Sequence, residues 1–285
     1  GQSDEAWRAA RPFLQLSSDD RAKLLLLRGM ANSEGRAFDN YRYSKLLYDR
    51  SPGERNNRFN YASALSGLGE NRQAASAMSH ERFSSALLSS DWAALAREAA
   101  GMGRHYWDRS TLWGSATMLV ASGHGDVLVR LYDESKPLIR SGDVEIDLVA
   151  IPGTILALRN AGRGPEANQL LAKFANTNGK LPDKGLGGTL KRINLAQIAA
   201  LSGRNDEVLQ RLDQLSREVP LILLTVPAVS LFNNPYYREL RNDPRLLAAD
   251  ERLRSALNSE RRRAGFAPIT RENWVSDQKT LLTKN

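Results

Sequence analysis

The chain has 285 residues, of which 41% are hydrophobic, so it can bury a sizeable core and is not a disordered chain. Its 40 lysines and arginines outnumber 32 aspartates and glutamates, and the net charge of +8 favours acidic partners without naming one. It contains no cysteine, which excludes disulfides, thiolate nucleophiles and cysteine-ligated metal sites.

Helical periodicity dominates from the first residues onward, because apolar side chains recur three and four positions apart and period-two alternation is nearly absent. We expect residues 1–34 to form helices that pack on the following array. The segment from Asn194 to Leu215 is typical of two amphipathic helices separated at Gly203. The sequence therefore predicts an all-α fold.

A repeated pattern joins these helices. A small or apolar helical segment ends at a glycine, and five residues later a small or apolar residue opens the next helix, as at Gly69 and Ala74. The turning glycines are Gly35, Gly69, Gly123, Gly162 and Gly203, with steps of 34, 54, 39 and 41 residues. The long step predicts an extra helix over Asp91–Gly103.

The physical reason for the spacing is local. Glycine adopts the left-handed conformation that ends a helix in a tight turn. A small residue one turn into the second helix then lets the two backbones approach. The pattern predicts helical hairpins that stack over residues 35–218.

The order of elements from Tyr43 to Ala74 is second helix, Pro52 terminator, first helix, glycine turn and small residue. In this order, and over roughly residues 36–218, the chain resembles the tetratricopeptide-repeat family. The resemblance implies a right-handed α-solenoid of helical hairpins. The copies are degenerate, since Asn40, Leu128 and Val208 stand where the family has a small residue.

The tail from Leu224 to Leu253 is similar to the end of the tetratricopeptide array in certain bacterial signalling proteins. In those proteins the array follows a winged-helix DNA-binding domain or a class III adenylate cyclase domain. Asp243 is expected to cap a helix whose first turn holds Pro244, and that helix would cover the last repeat. Residues 219–285 would then form a linker, the capping helix and a tail.

The apolar segment 219–232 is too short to span a membrane and contains Pro220 and Pro227. We expect no membrane insertion by this chain. An apolar run of this length could instead form an exposed apolar surface through which two copies of the chain associate as a homodimer.

Catalytic and metal-binding signatures are weak throughout. The histidines are His80, His105 and His124, and none has a metal-binding partner at helical spacing. No nucleophile elbow is present. The sequence predicts no catalytic residue, no cofactor and no metal. The glycine-rich stretch 184–189 could cradle an anion, but an inter-repeat linker explains it better.

Two further clusters have competing explanations. Trp7, Trp92, Trp107 and Trp113, with His105 and Tyr106, could line a small-molecule pocket, although filling of an irregular junction is favoured. The basic residues Arg254 and Arg261–Arg263 are expected to be a solvated helix end that complements the helix dipole. No direct nucleic-acid binding is expected.

A superhelix of hairpins offers a concave surface lined by its first helices. Polar side chains there could bracket an extended peptide and take its carboxylate. The candidate contacts are Asn56, Asn60, Ser63, Arg159, Asn160, Asn194 and Gln197.

Three functions follow from these features. The leading interpretation is a non-catalytic region that binds a protein or peptide, or its own effector domain, within a signalling protein. The alternatives are a self-association module and a small-molecule sensor. The first residue is Gly1 rather than Met, so we expect further residues upstream. We expect a cytoplasmic protein or, alternatively, a periplasmic sensor region of a membrane-anchored one.

Overall fold

A computed structural model describes residues 2–16, 20–107, 114–141, 148–218, 231 and 234–270. Regular structure in these ranges is helical, without strands, as the sequence predicts. The α-helices in chain order are α1 (Gln2–Leu16), α2 (Asp20–Ser33), α3 (Ala37–Arg50), α4 (Arg55–Gly67), α5 (Asn71–Ala77), α6 (Arg82–Leu88), α7 (Trp92–Met102), α8 (Ser115–Ala121), α9 (Gly125–Ser141), α10 (Ile151–Asn160), α11 (Gly164–Gly179), α12 (Gly185–Leu201), α13 (Asn205–Glu218) and α14 (Pro244–Arg263). Two short 3₁₀ helices cover Gly103–Tyr106 and Pro235–Leu240.

The helices from α2 to α13 pack in consecutive pairs, each joined by a tight turn. All five predicted turning glycines have positive φ, between 69° and 83°. The backbone N–H that follows each glycine donates to a carbonyl five residues earlier, for example from Glu70 to Leu65 at 2.9 Å. This hydrogen bond belongs to the Schellman motif, which satisfies a free carbonyl at the end of a helix. The predicted turns are confirmed.

A sixth turn of the same kind lies inside the long 54-residue step. Ser90 has φ 60°, and the N–H of Asp91 donates to the carbonyl of Ala86 at 2.9 Å. The turn joins α6 to α7, and α7 is the extra helix predicted over Asp91–Gly103. Leu95, five residues after Ser90, is fully buried like Ala74. The long step is therefore two steps of 21 and 33 residues, with a serine in place of the glycine.

First helices of neighbouring hairpins also touch, since α10 packs against both α8 and α12. Gly153 permits the close approach of α8 and α10. A Cβ atom there would lie 2.7 Å from the carbonyl carbon of Ala116. At the other end of the described helices, Gly35 joins α2 to α3, so this hairpin spans the boundary expected between residues 34 and 35.

The buried apolar residues of these pairs form two main clusters that both include side chains of α12. One buried cluster contains side chains from α4 to α12, and a second joins α12, α13 and α14. Asp243 caps α14 as predicted, accepting the N–H of Arg245 at 2.8 Å. Leu246 and Leu253 of α14 are buried in the second cluster. The first half of α14 therefore packs on the last hairpin.

The second half of α14 packs on the beginning of the described helices instead. A 20-residue helix is about 30 Å long, so it reaches from α13 to α3. Leu257 and Ile269 are buried together with Leu68, which follows α4. We call this junction, of residues 257–269 with α3 and with residues 68–70, the closing contact.

The expectation of a solvated basic cluster is wrong for Arg261, whose side chain is only 6% exposed. Its guanidinium donates to the carbonyls of Leu68 and Ala267 and pairs with Glu70 at 2.8 Å. Arg262 is exposed, as expected. The difference arises because α14 returns to α3 and to the turn between α4 and α5, which covers one side of the helix end. No helix among the described residues is long and apolar enough to cross a bilayer.

Candidate functional site

The segment of residues 234–241, called the inner segment below, lies against first helices of two hairpins. It contains the 3₁₀ helix Pro235–Leu240, which contacts α8 and α12. Asn234 caps this helix by accepting the N–H of Tyr236 at 3.0 Å. The hydroxyls of Tyr236 and of Thr117 on α8 are 2.6 Å apart. The inner segment is thus fixed to the array by a polar anchor at its N-terminal end.

A cavity of about 500 Å³ opens beside the inner segment. Its walls are the C-terminal ends of α8, α10 and α12, the turns that follow α8 and α12, and the inner segment itself. A volume of 300–1,000 Å³ is usual for sites of small organic ligands. The apolar residues that line the cavity are Val120, Ala121, Leu156, Ala200, Leu201, Pro235 and Leu240.

Polar groups at the cavity are dominated by three arginines. They are Arg159 on α10 and Arg238 and Arg241 on the inner segment, alongside Glu239. Burial lowers the pKa of the Arg241 guanidinium, and the neighbouring charge of Arg238 lowers this pKa further. Among the described residues, neither Arg159 nor Arg238 forms an ion pair with a carboxylate. The wall of the cavity therefore carries more positive than negative charge.

The environments of the three arginines differ. Arg159 donates to the carbonyl of Leu201, the last residue of α12, and to the Oδ1 atom of Asn168 at 3.3 Å. It therefore links α10 to the ends of neighbouring helices. Arg238 is exposed and Arg241 is partly buried. Guanidinium groups bind carboxylate and phosphate oxygens in a bidentate manner, so this wall suits recognition of an anion.

The predicted partner contacts fall into three groups. Arg159 and Asn160 line the cavity. On α4, Asn56 is exposed, whereas Asn60 and Ser63 are partly buried. Gln197, on α12, is also partly buried.

Asn194 was predicted as an exposed contact, and this is wrong. Its side chain is 1% exposed, and its amide donates to Oδ1 of Asn178 on α11 at 3.0 Å. Asn178 in turn donates to the carbonyl of Lys191. The two asparagines satisfy each other inside the α11–α12 junction, so they are not available to a partner.

Sequence reasoning did not select Arg238 or Arg241. They were part of a tail interpreted only by its resemblance to other array ends. A usable signal was present, because residues three apart lie on the same side of a 3₁₀ helix. Recognising it required knowledge that the segment folds back onto the array, which local sequence does not contain.

The aromatic cluster forms core rather than a pocket. Tyr106 and Trp107 are buried, with their rings 5.2 Å apart, and the Trp107 indole donates to Ser135 at 2.8 Å. Trp92 is also buried, while Trp7 lies elsewhere, donating to Glu34. The small-molecule pocket envisaged at Trp107 is thus filled by protein side chains. Trp113 lies outside the described residues.

The glycine-rich stretch 184–189 begins α12 rather than forming a separate loop. A Cβ atom on Gly188 would clash with the carbonyl oxygen of Asp183. Lys191 donates to that residue's carboxylate at 2.7 Å and to the carbonyl of Leu181. The glycine and the lysine are thus accounted for by the turn between α11 and α12. The apolar segment 219–232 lies outside the described residues except for Leu231.

Within the described ranges, no three His, Cys, Asp or Glu side chains cluster in a way that could hold a metal ion. His80 and His105 are exposed. Comparison with known proteins gave no match among protein-family models, curated proteins or solved structures. The resemblance to tetratricopeptide arrays of signalling proteins therefore stays a prediction.

Proposed function

We propose that the chain is a non-catalytic binding and regulatory module, built as a right-handed α-solenoid of tetratricopeptide-like hairpins with a capping C-terminal helix. The recurrent turn supports this architecture, because the same hydrogen bond ends the first helix of six hairpins in the described residues. Contacts of α10 with both α8 and α12 support a stacking order for the first helices. Repeats of this kind hide their apolar faces only by stacking on neighbours.

The observation that carries the function is the cavity where three first helices end against the inner segment. In a solenoid the first helices line the inner surface, where ligands bind. The chain's own residues 234–241 already cover that surface at α8 and α12. The space left suits a small molecule or the terminal group of a peptide better than a long extended peptide.

A ligand bound at the inner segment would regulate the protein through α14. This segment leads directly into α14, which joins the last hairpin to the first ones through the closing contact. A ligand bound between the inner segment and α10 would favour one placement of α14. By the resemblance of the tail, the regulated partner is an effector domain, a cyclase or a DNA-binding domain, outside this chain.

Amide NMR of the 285-residue protein tests the binding site with a library of small neutral and charged fragments. We expect chemical-shift changes to cluster at residues 120–123, 156–160, 200–205 and 235–241. Asn205 is exposed and lines the cavity, so Asn205→Trp should obstruct the site without disturbing the core.

Asn56→Trp provides the matched comparison, because Asn56 is an exposed asparagine on α4 away from the cavity lining. Fragment shifts that disappear in Asn205→Trp and persist in Asn56→Trp support the proposal. Shifts that disappear only in Asn56→Trp would place the ligand on the α4 surface. Absence of clustered shifts in the unaltered protein would contradict the proposal.

A further inference from the structure

The inner segment places one positive and one negative side chain at the cavity. Arg238 and Glu239 both line it, and both are exposed. Neither forms an ion pair with a described residue, whereas Arg163, away from the cavity, is held by Asp133 at 2.7 Å and by Glu166 at 2.8 Å. Successive side chains of a 3₁₀ helix point about 120° apart, so Arg238 and Glu239 present their charges in different directions. Two opposite charges at the cavity are therefore accessible to a ligand.

The ends of three helices add to the negative side of this arrangement. The C-termini of α8, α10 and α12 form walls of the cavity. A helix C-terminus carries a partial negative charge of about half an elementary charge, which stabilises a nearby cation and destabilises an anion. Some carbonyls there already accept hydrogen bonds, among them that of Leu201 from Arg159. An ammonium group in the cavity would be favoured both by Glu239 and by these helix ends.

A ligand with a single charge fits this wall poorly. An anion is attracted by Arg238 but repelled by Glu239 and the helix ends, and a cation meets the opposite balance. A molecule that carries both an ammonium and a carboxylate group is attracted by both side chains. The amides of Asn160 and Asn205 are exposed at the same cavity, so they can form hydrogen bonds with the polar groups of such a molecule.

We propose that the cavity binds a small zwitterion, an amino acid or a dipeptide, through Arg238 and Glu239. This inference rests on the proposed function and adds the chemical class of the ligand. The Arg238 guanidinium donates to the carboxylate, and Glu239 accepts from the ammonium group. Leu156 and Leu240, which line the cavity, contact the apolar part of the ligand. The volume of about 500 Å³ accommodates a molecule of this size.

Calorimetric titration of the full chain near neutral pH tests this class with probes that share one side chain. Leucine and leucyl-leucine carry both charges, N-acetylleucine carries only the carboxylate, and leucine amide carries only the ammonium group. We expect leucine or leucyl-leucine to bind about tenfold more tightly than either singly charged probe, because each lost charge removes a charge-assisted hydrogen bond. Tighter binding of leucine assigns the cavity to an amino acid, and tighter binding of leucyl-leucine assigns it to a dipeptide.

Two variants test the charged side chains separately. Arg238→Gln should lower the affinity for the tighter zwitterion about tenfold without weakening the binding of leucine amide, since it removes only the partner of the carboxylate. Glu239→Gln should lower the zwitterion affinity by a similar factor without weakening the binding of N-acetylleucine. The two singly charged probes therefore distinguish the two positions, which a general disturbance of the cavity would not do.

Arg97→Gln and Glu5→Gln are the matched controls, because both residues are exposed and neither lines the cavity. Both variants should bind the zwitterion as the unaltered protein does. Thermal melting checks that every variant is folded.

A singly charged probe that binds as tightly as leucine and leucyl-leucine overturns the zwitterion class. Unchanged zwitterion affinity in Arg238→Gln or in Glu239→Gln overturns it as well. In these cases clustered shifts at the cavity from the fragment library leave the proposed function standing. Failure of every probe to bind overturns this inference, and the additional absence of cavity shifts from the fragment library contradicts the proposed function too.

Discussion

The chain that follows α13 takes part in both the closing contact and the cavity, yet arginines have different roles in the two regions. At the closing contact Arg261 is buried and its donors are taken up by Leu68, Ala267 and Glu70. At the cavity Arg238 is exposed and forms no ion pair with a described carboxylate. An arginine held by three protein acceptors stabilises the fold, whereas the exposed Arg238 at an open volume contributes little to it.

The other charges of the closing contact follow the same rule as Arg261. Glu260 accepts the backbone N–H of Phe38 at 2.9 Å and pairs with Arg263 at 2.8 Å. Arg263 also stacks over the Phe38 ring and pairs with Asp39. Each charged side chain named here forms an ion pair with an oppositely charged one, so the charges of this junction stabilise the fold. The predictions below test that contrast between the two regions.

Arg261→Ala should have the largest effect on stability. It removes a buried cation and leaves Glu70 and two carbonyls without their partner, which costs about 3 kcal/mol of unfolding free energy. Urea denaturation measures the loss. Arg262→Ala is the control on the adjacent exposed residue, with an expected change below about 0.5 kcal/mol. Equal losses in the two variants would contradict a structural role for Arg261.

Gly69→Ala and Gly203→Ala compare one turn glycine from each region. Both positions have φ near 70–80°, so an alanine incurs strain of about 1 kcal/mol at either. At Gly69 the new methyl would also lie 2.7 Å from Ile269 Cδ1, whereas the space around Gly203 is open. We therefore expect Gly69→Ala to be the more destabilising, by about 1 kcal/mol in urea denaturation. A larger stability loss in Gly203→Ala than in Gly69→Ala would mean that Ile269 does not pack tightly against the turn at Gly69.

Tyr236→Phe should destabilise the protein by about 1 kcal/mol, because it removes the hydrogen bond to Thr117 that anchors the inner segment. Hydrogen exchange should increase mainly at residues 234–241 and less at the closing contact. Tyr43→Phe is a control on α3, where the hydroxyl forms no hydrogen bond with a described residue. Increased exchange at residues 257–269 alone would contradict the proposed anchoring.

Arg238→Gln should have the smallest effect on stability, within about 0.5 kcal/mol of the unaltered protein. Arg238 is exposed and forms no ion pair with a described carboxylate, so its replacement costs little. Urea denaturation measures the change. A large loss would show that Arg238 holds the fold as Arg261 does.

Sequence patterns predicted the features that depend on a few neighbouring residues. Gly69 and the other turning glycines end helices because the left-handed conformation is a local preference, and Asp243 caps α14 for an equally local reason. Ser90 was missed because serine adopts positive φ only where the surrounding structure requires it. The turn between α6 and α7 therefore depends on the packing around Ser90 and not on a preference of serine itself.

The amino-acid sequence by itself determined that this chain is helical and where five of its turns fall. Only the tertiary structure decided that Arg261 and Asn194 are buried and that Arg238 and Arg241 line a cavity beside α10. Arg261 contacts a carbonyl 193 positions away in sequence, and Tyr236 contacts a threonine 119 positions away. Helix and turn preferences act within about five residues, so they cannot specify which side of a helix a distant segment will cover.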